Sequence, residues 1–145
     1  MTNPTAVLST AAALAASAAI TACSSTGFRM PGAKVDFSTD IQPLLELRCL
    51  ECHNHIDDKD HAGLDLETRH AALTTGRSAP VIRPGDPYGS ILYQALKLGH
   101  AHQNAMPPSP DKIWGKQLEL VHDWIEQGAE WPEDIKLVRP QDWPQ

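Results

Sequence analysis

The sequence predicts an all-α domain of three to four main helices joined by long loops. Apolar residues recur at helical spacing in separate stretches, most of them preceded by capping residues, and no repeat or strand-rich segment interrupts them. The length of 145 residues fits one domain with appendages. The interior is poorly supplied: the 41% hydrophobic share is inflated by an alanine-rich start, and the chain holds only four Trp, two Tyr and two Phe. So small a domain buries its core marginally, and a metal or a large apolar cofactor would supply what is missing.

The first helix is predicted where Val35 to Phe37 leads into the capping side chains of Ser38, Thr39 and Asp40, with Phe37, Ile41, Leu44, Leu45 and Arg48 following at helical spacing. Pro43 falls in its first turn, where a missing N–H costs little. A polar, irregular loop runs from His55, and a short helix is expected over Leu66 to Leu73. Asp86 as N-cap with Pro87 at the first helical position starts a middle helix, whose stripe is Ile91, Leu92, Ala95, Leu96 and Leu98 and whose stop is Gly99. Asp111 opens a last helix bearing Leu118, Val121, Trp124 and Ile125, with Gly128 as its C-cap and Trp124 in the core. Residues 132–145, with three prolines and mixed charge, are expected to be a loosely ordered tail.

Before Arg29 there is no charged residue, and Ala6 to Ala22 is a small, apolar run with nine alanines. Too short and too weak to span a bilayer for good, it reads as an export signal over residues 1–22. Ile20-Thr21-Ala22-Cys23 resembles a bacterial lipobox, which makes Cys23 the lipidated first residue of the mature chain and its membrane anchor. Residues 23–34, rich in Ser and Gly, then form a flexible tether, and residues 35–131 the working domain.

Cys49-Leu50-Glu51-Cys52-His53 carries the chemistry. C-x-x-C alone would suit a redox dithiol or half a zinc site, but C-x-x-C followed by His is the attachment signature of c-type haem. Two thiols must reach two vinyl groups on one porphyrin edge, and the next residue must bring an imidazole to the iron. One helical turn meets all three demands. A structural zinc site needs four ligands, and no second C-x-x-C exists.

The best second iron ligand is Met106, which precedes Pro107 and Pro108 on a stiff loop able to hold a weak thioether. His100 and His102, in the same loop, are the rivals and would lower the reduction potential. His55, His61, His70 and His122 read as surface or hydrogen-bonded histidines. Leu64 and Leu66, in Gly63-Leu64-Asp65-Leu66, are placed to rest on a porphyrin face, and Leu96 of the middle helix joins them as a pocket residue.

The order of these pieces, continuing through Pro84-Gly85-Asp86-Pro87, Met106-Pro107-Pro108 and Trp124-Ile125-Glu126-Gln127-Gly128-Ala129, resembles class I cytochrome c, and most of all the planctomycete-type cytochrome c domain. The resemblance spans about Val35 to Trp131. It implies the cytochrome c fold around one covalently attached haem, with Cys49 and Cys52 as thioether attachments, His53 as proximal ligand and Met106 as distal ligand.

The resemblance implies a one-electron carrier, not an enzyme, either free-standing or as a small subunit of a larger complex, and the N-terminal signal puts it on the exported side of a bacterial membrane. A haem-based sensor or peroxidase-like enzyme with a labile distal ligand is the alternative. With 12 Lys and Arg against 18 Asp and Glu the net charge is -6, which argues against nucleic acid as a partner. It favours redox proteins with a basic docking patch, such as a respiratory or photosynthetic complex or a dehydrogenase.

Overall fold

A computed structural model describes residues 32–57, 60–99, 101–108 and 112–142. The proposed signal, Cys23 and most of the tether lie outside them, as do His100 and Asp111. Among the described residues the regular structure is helical: a π-helical turn Phe37–Ile41 running into α1 (Gln42–Arg48), then α2 (Arg69–Thr74), α3 (Ile91–Lys97), α4 (Lys116–Glu126) and a closing 3₁₀ turn, Pro140–Asp142. The only β pairing among them is an isolated antiparallel bridge between Thr68 and Lys136. None of these helices is long and apolar enough to cross a membrane.

The first helix begins one step earlier than its expected caps. Asp36, in extended conformation, accepts from the Thr39 amide at 2.9 Å and closes the π-helical turn, and Pro43 sits in the opening turn of α1. The expectation for α3 needs correction. Asp86 does cap, accepting from the Gly89 amide at 2.8 Å, but the chain from Pro87 to Gly89 is a turn and the helix starts after Ser90. Gly89 explains this, because a Cβ there would collide with the Asp86 carboxylate. Ser90, fully buried, spends its hydroxyl on Asp86 O at 2.8 Å and accepts from the Arg83 amide, also at 2.8 Å.

The last helix begins at Lys116, after a stretch of no regular structure from Lys112 and a turn at Gly115. It ends as expected: Gly128 has φ of +106°, its amide returns to Ile125 O at 3.0 Å and the Ala129 amide to Trp124 O at 2.8 Å. That pair of bonds is the Schellman closure, for which glycine is the cheapest residue.

The core gathers Phe37, Ile41 and Leu45 from the first helix, Leu92 and Leu96 from α3, and Val121, Trp124 and Ile125 from α4. Phe37 stacks on Trp131 with centroids 4.4 Å apart and tilts against Trp124 at 5.9 Å. The Trp124 indole donates to Glu130 O at 2.8 Å, so burying it leaves no polar group unpaired.

The expected loose tail is not what residues 132–142 show. Leu137 is fully buried, its amide donates to Glu67 O at 2.7 Å, and the Val138 amide reaches the carboxylate of Glu46 at 3.2 Å. A single well-placed leucine and two backbone bonds outweigh the polar composition that suggested disorder.

Candidate haem-attachment site

α1 delivers the cysteine motif. Its end passes directly into one further turn, in which the amides of Cys52 and His53 both return to Cys49 O, at 3.2 and 2.9 Å. The two sulfur-bearing residues and the imidazole are thereby presented from one turn, as the motif requires. Neither thiol is in a disulfide. Cys49 is buried in the core, and that burial, reinforced by neighbouring Cys52, pushes its thiol up to about 12. Such a thiol is neutral at physiological pH. Redox dithiols and zinc ligands work as thiolates, so this environment opposes both, while a neutral thioether sits there without a charge to desolvate.

Asn54 holds the turn from its far side, a role that sequence reasoning misses. Fully buried, its amide nitrogen donates to Leu50 O at 2.9 Å, Glu51 O at 3.1 Å and the Asp57 carboxylate at 3.0 Å. Its oxygen accepts from the amides of Ile56 and Asp57 at 2.9 and 3.1 Å. One side chain thus satisfies helix-end carbonyls and following amides alike. The signal is there in the sequence, since Asn after a helix end is a good local hydrogen-bonder.

His53 is half-buried, and burial holds its imidazole below the ordinary histidine range. The Leu64 backbone opposes that shift and His61 adds to it, with the rings of His53 and His61 edge to face at 5.8 Å. His61 therefore belongs beside the site and not on an open surface. The Nδ1 atom of His53 is buried and has no hydrogen-bond partner among the described residues; the Leu64 backbone lies near, without forming a bond of good geometry to it. A neutral imidazole is the form that coordinates iron. Two free cysteines, one thiol held neutral, and an unsatisfied, buried imidazole nitrogen on the same turn fit the donor set of a covalently attached haem.

Leu66 and Leu96 are buried in the same core as Cys49, and Leu64 packs against it half-buried. Met106 also packs on that core. Its loop is tied down at both polar ends: the Met106 amide donates to Ala95 O at 3.1 Å, and Lys112 donates to Met106 O at 3.1 Å. His102 is exposed and its Nδ1 accepts from the Asn104 amide at 3.1 Å, which ties it to its own loop. His55 pairs with Glu67 at 2.7 Å and His122 with Asp123 at 3.0 Å. Two cavities, of about 470 and 330 Å³, open elsewhere, one beside Phe37 and Trp131 and the other beside Tyr88 and His122.

Comparison with known proteins finds a family that is similar to part of this chain. The family described as planctomycete cytochrome C matches residues 49–110, from the first cysteine past Met106. No curated protein and no solved structure matches the chain. The family resemblance read from the order of motifs is thus found over the stretch that carries the attachment turn and the Met106 loop.

Proposed function

We propose, with the planctomycete cytochrome C match over residues 49–110 as premise, that this chain is a monohaem c-type cytochrome acting as a one-electron carrier. The match marks a c-type cytochrome domain, for which electron transfer and not bond chemistry is the expected work. The single observation that supports the reading most strongly is the turn Cys49 to His53, with both cysteines unbridged and the imidazole nitrogen unsatisfied.

Bound there, a haem would supply an iron cycling between two oxidation states. The chain's own part is passive. Cys49 and Cys52 would hold the porphyrin edge, His53 would give the iron one nitrogen, and Met106 one sulfur, which favours the ferrous state and raises the potential. Leu64, Leu66 and Leu96 would exclude water from the ring. No general acid, base or nucleophile is asked of the protein.

The same reading puts the domain outside the cytoplasm, tethered through a lipid on Cys23, where its net charge of -6 favours weak, salt-sensitive docking to basic redox partners. The test is expression with a cytochrome c maturation system. Haem that survives denaturation and acid–organic extraction, and is lost in Cys49→Ser/Cys52→Ser, is the expected result. Colourless wild-type protein would overturn the reading. Carbon monoxide binding readily to the reduced wild type would replace the carrier with a sensor or peroxidase-like role.

A further inference from the structure

The segment after α4 lies outside the family match, yet it reaches both flanks of the attachment turn. Upstream, the Val138 amide donates to Glu46 Oε1 at 3.2 Å, and that carboxylate, buried on α1 three residues before Cys49, also receives Gln42 Nε2 at 3.0 Å. Downstream, the chain that follows His53 returns to it: the Leu66 amide donates to His53 O at 3.0 Å. Glu67, the next residue, is where the C-terminal segment takes hold.

Glu67 is engaged through every polar group it has. Its amide donates to Asp65 Oδ1 at 2.8 Å and its carbonyl accepts from the Leu137 amide at 2.7 Å. Its carboxylate reaches His55 Nδ1 at 2.7 Å with one oxygen and Lys136 Nζ at 2.9 Å with the other. The side chain is only 12% exposed, whereas those of His55 and Lys136 are 60% and 59% exposed. A surface histidine and a surface lysine are therefore gathered onto one nearly enclosed carboxylate. One of them stands two residues after His53 and the other on the strap, whose Leu137 is sunk in the core. A pair of exposed charges contributes little to stability. Two elements tied to one carboxylate beside the proposed iron ligand contribute geometry, because His55 lies on the chain that carries His53 and Lys136 on the strap.

We propose that Glu67 is a positioning residue for His53, and that strap residues Lys136 to Val138 act through it and Glu46 to fix how that imidazole is oriented. The proposal rests on the haem reading of the attachment turn. It assigns a function to a stretch of chain lying beyond the residues that match the cytochrome family.

The experiment uses the full chain with its haem attached. Paramagnetic proton shifts of the haem methyls in the ferric state report the plane of the axial imidazole, and redox titration reports the potential. Glu67→Ala is expected to redistribute the methyl shifts and to change the equilibrium constant for reduction at least about threefold. Glu67→Gln, which keeps an oxygen and a nitrogen in place for the same partners, should restore the methyl pattern. Arg69→Ala, which releases a separate ion pair of the C-terminal segment, to Glu133 at 2.7 Å, should leave both readouts alone. If Glu67→Ala does not take up haem, Lys136→Ala, altered at an exposed side chain, is read in the same way.

Methyl shifts unchanged in the alanine variant, whatever its melting temperature, would overturn the proposal. So would a potential that moves equally in Glu67→Gln and Glu67→Ala with one unaltered methyl pattern, since that is charge acting alone. Wild-type protein lacking covalent haem would instead remove the premise, and is told apart by its colour before any variant is made.

Discussion

The amide of Leu66 donates to the carbonyl of His53 at 3.0 Å, which closes the polar loop between them back onto the peptide of the proposed iron ligand. Leu66 is itself sunk in the core beside Cys49. The loop that the sequence leaves irregular thus has one firm end, at the backbone of His53.

Asn54→Ala removes five hydrogen bonds at once and leaves the carbonyl of buried Leu50 without that donor. A buried polar group stripped of its partner costs about 1–3 kcal/mol. Denaturant unfolding of the haem-loaded protein should show a loss of about 2–4 kcal/mol, with haem still covalently attached. A loss under about 0.5 kcal/mol, the usual size of a surface substitution, would show that the turn stands without Asn54.

Met106→Ala should open one face of the iron. The sulfur favours ferrous iron, so its loss should lower the potential markedly and admit added imidazole or cyanide, read by optical titration. His102→Ala, altered at an exposed ring engaged within its own loop, should leave spectrum and potential as they are. The reverse pattern would move the ligand from Met106 to the histidine.

The carboxyl of Glu67 sets a pH window for stability. Burial would raise it, but the hydrogen bonds and charges of Lys136 and His55 outweigh burial and hold it below its ordinary value of 4.5. A carboxylate depressed in the folded state stabilises fully above the unfolded value, and that contribution is lost as pH falls through the folded one. Melting temperatures of wild type and Glu67→Gln should therefore differ most above the ordinary value of 4.5 and converge as pH falls through the depressed folded value. The difference should be under about 1 kcal/mol because both partners are largely exposed.

Trp131→Ala removes the ring stacked on Phe37 at 4.4 Å and packed beside Trp124. With Trp131 only 5% exposed, the loss should be about 3–5 kcal/mol by thermal or denaturant unfolding. Trp114→Ala, at 70% exposure, should cost under about 0.5 kcal/mol. Equal effects would mean that Trp131 is not part of the core.

The all-α class, the placement of the first helix, the end of α4 and the turn over residues 49–53 were legible because each depends on chain neighbours: apolar spacing, a Pro in a first turn, Gly128 past a helix end, two cysteines and a histidine within five residues. Asp111 did not mark the start of α4, which begins at Lys116. The start of α3 was misread by a local rule that Asp86 obeys, since the clash a side chain at Gly89 would make with that carboxylate appears only once the turn is built. Asn54 follows a helix end, a local signal the sequence does carry, whereas His61 and the C-terminal strap were not legible. Their roles arise from contacts between residues far apart in the chain or from burial, and neither leaves a periodic trace. Composition made residues 132–145 look like a tail. Leu137 finding a place in the core, and Glu67 and Glu46 offering acceptors to the backbone beside it, made residues 132–142 part of the domain.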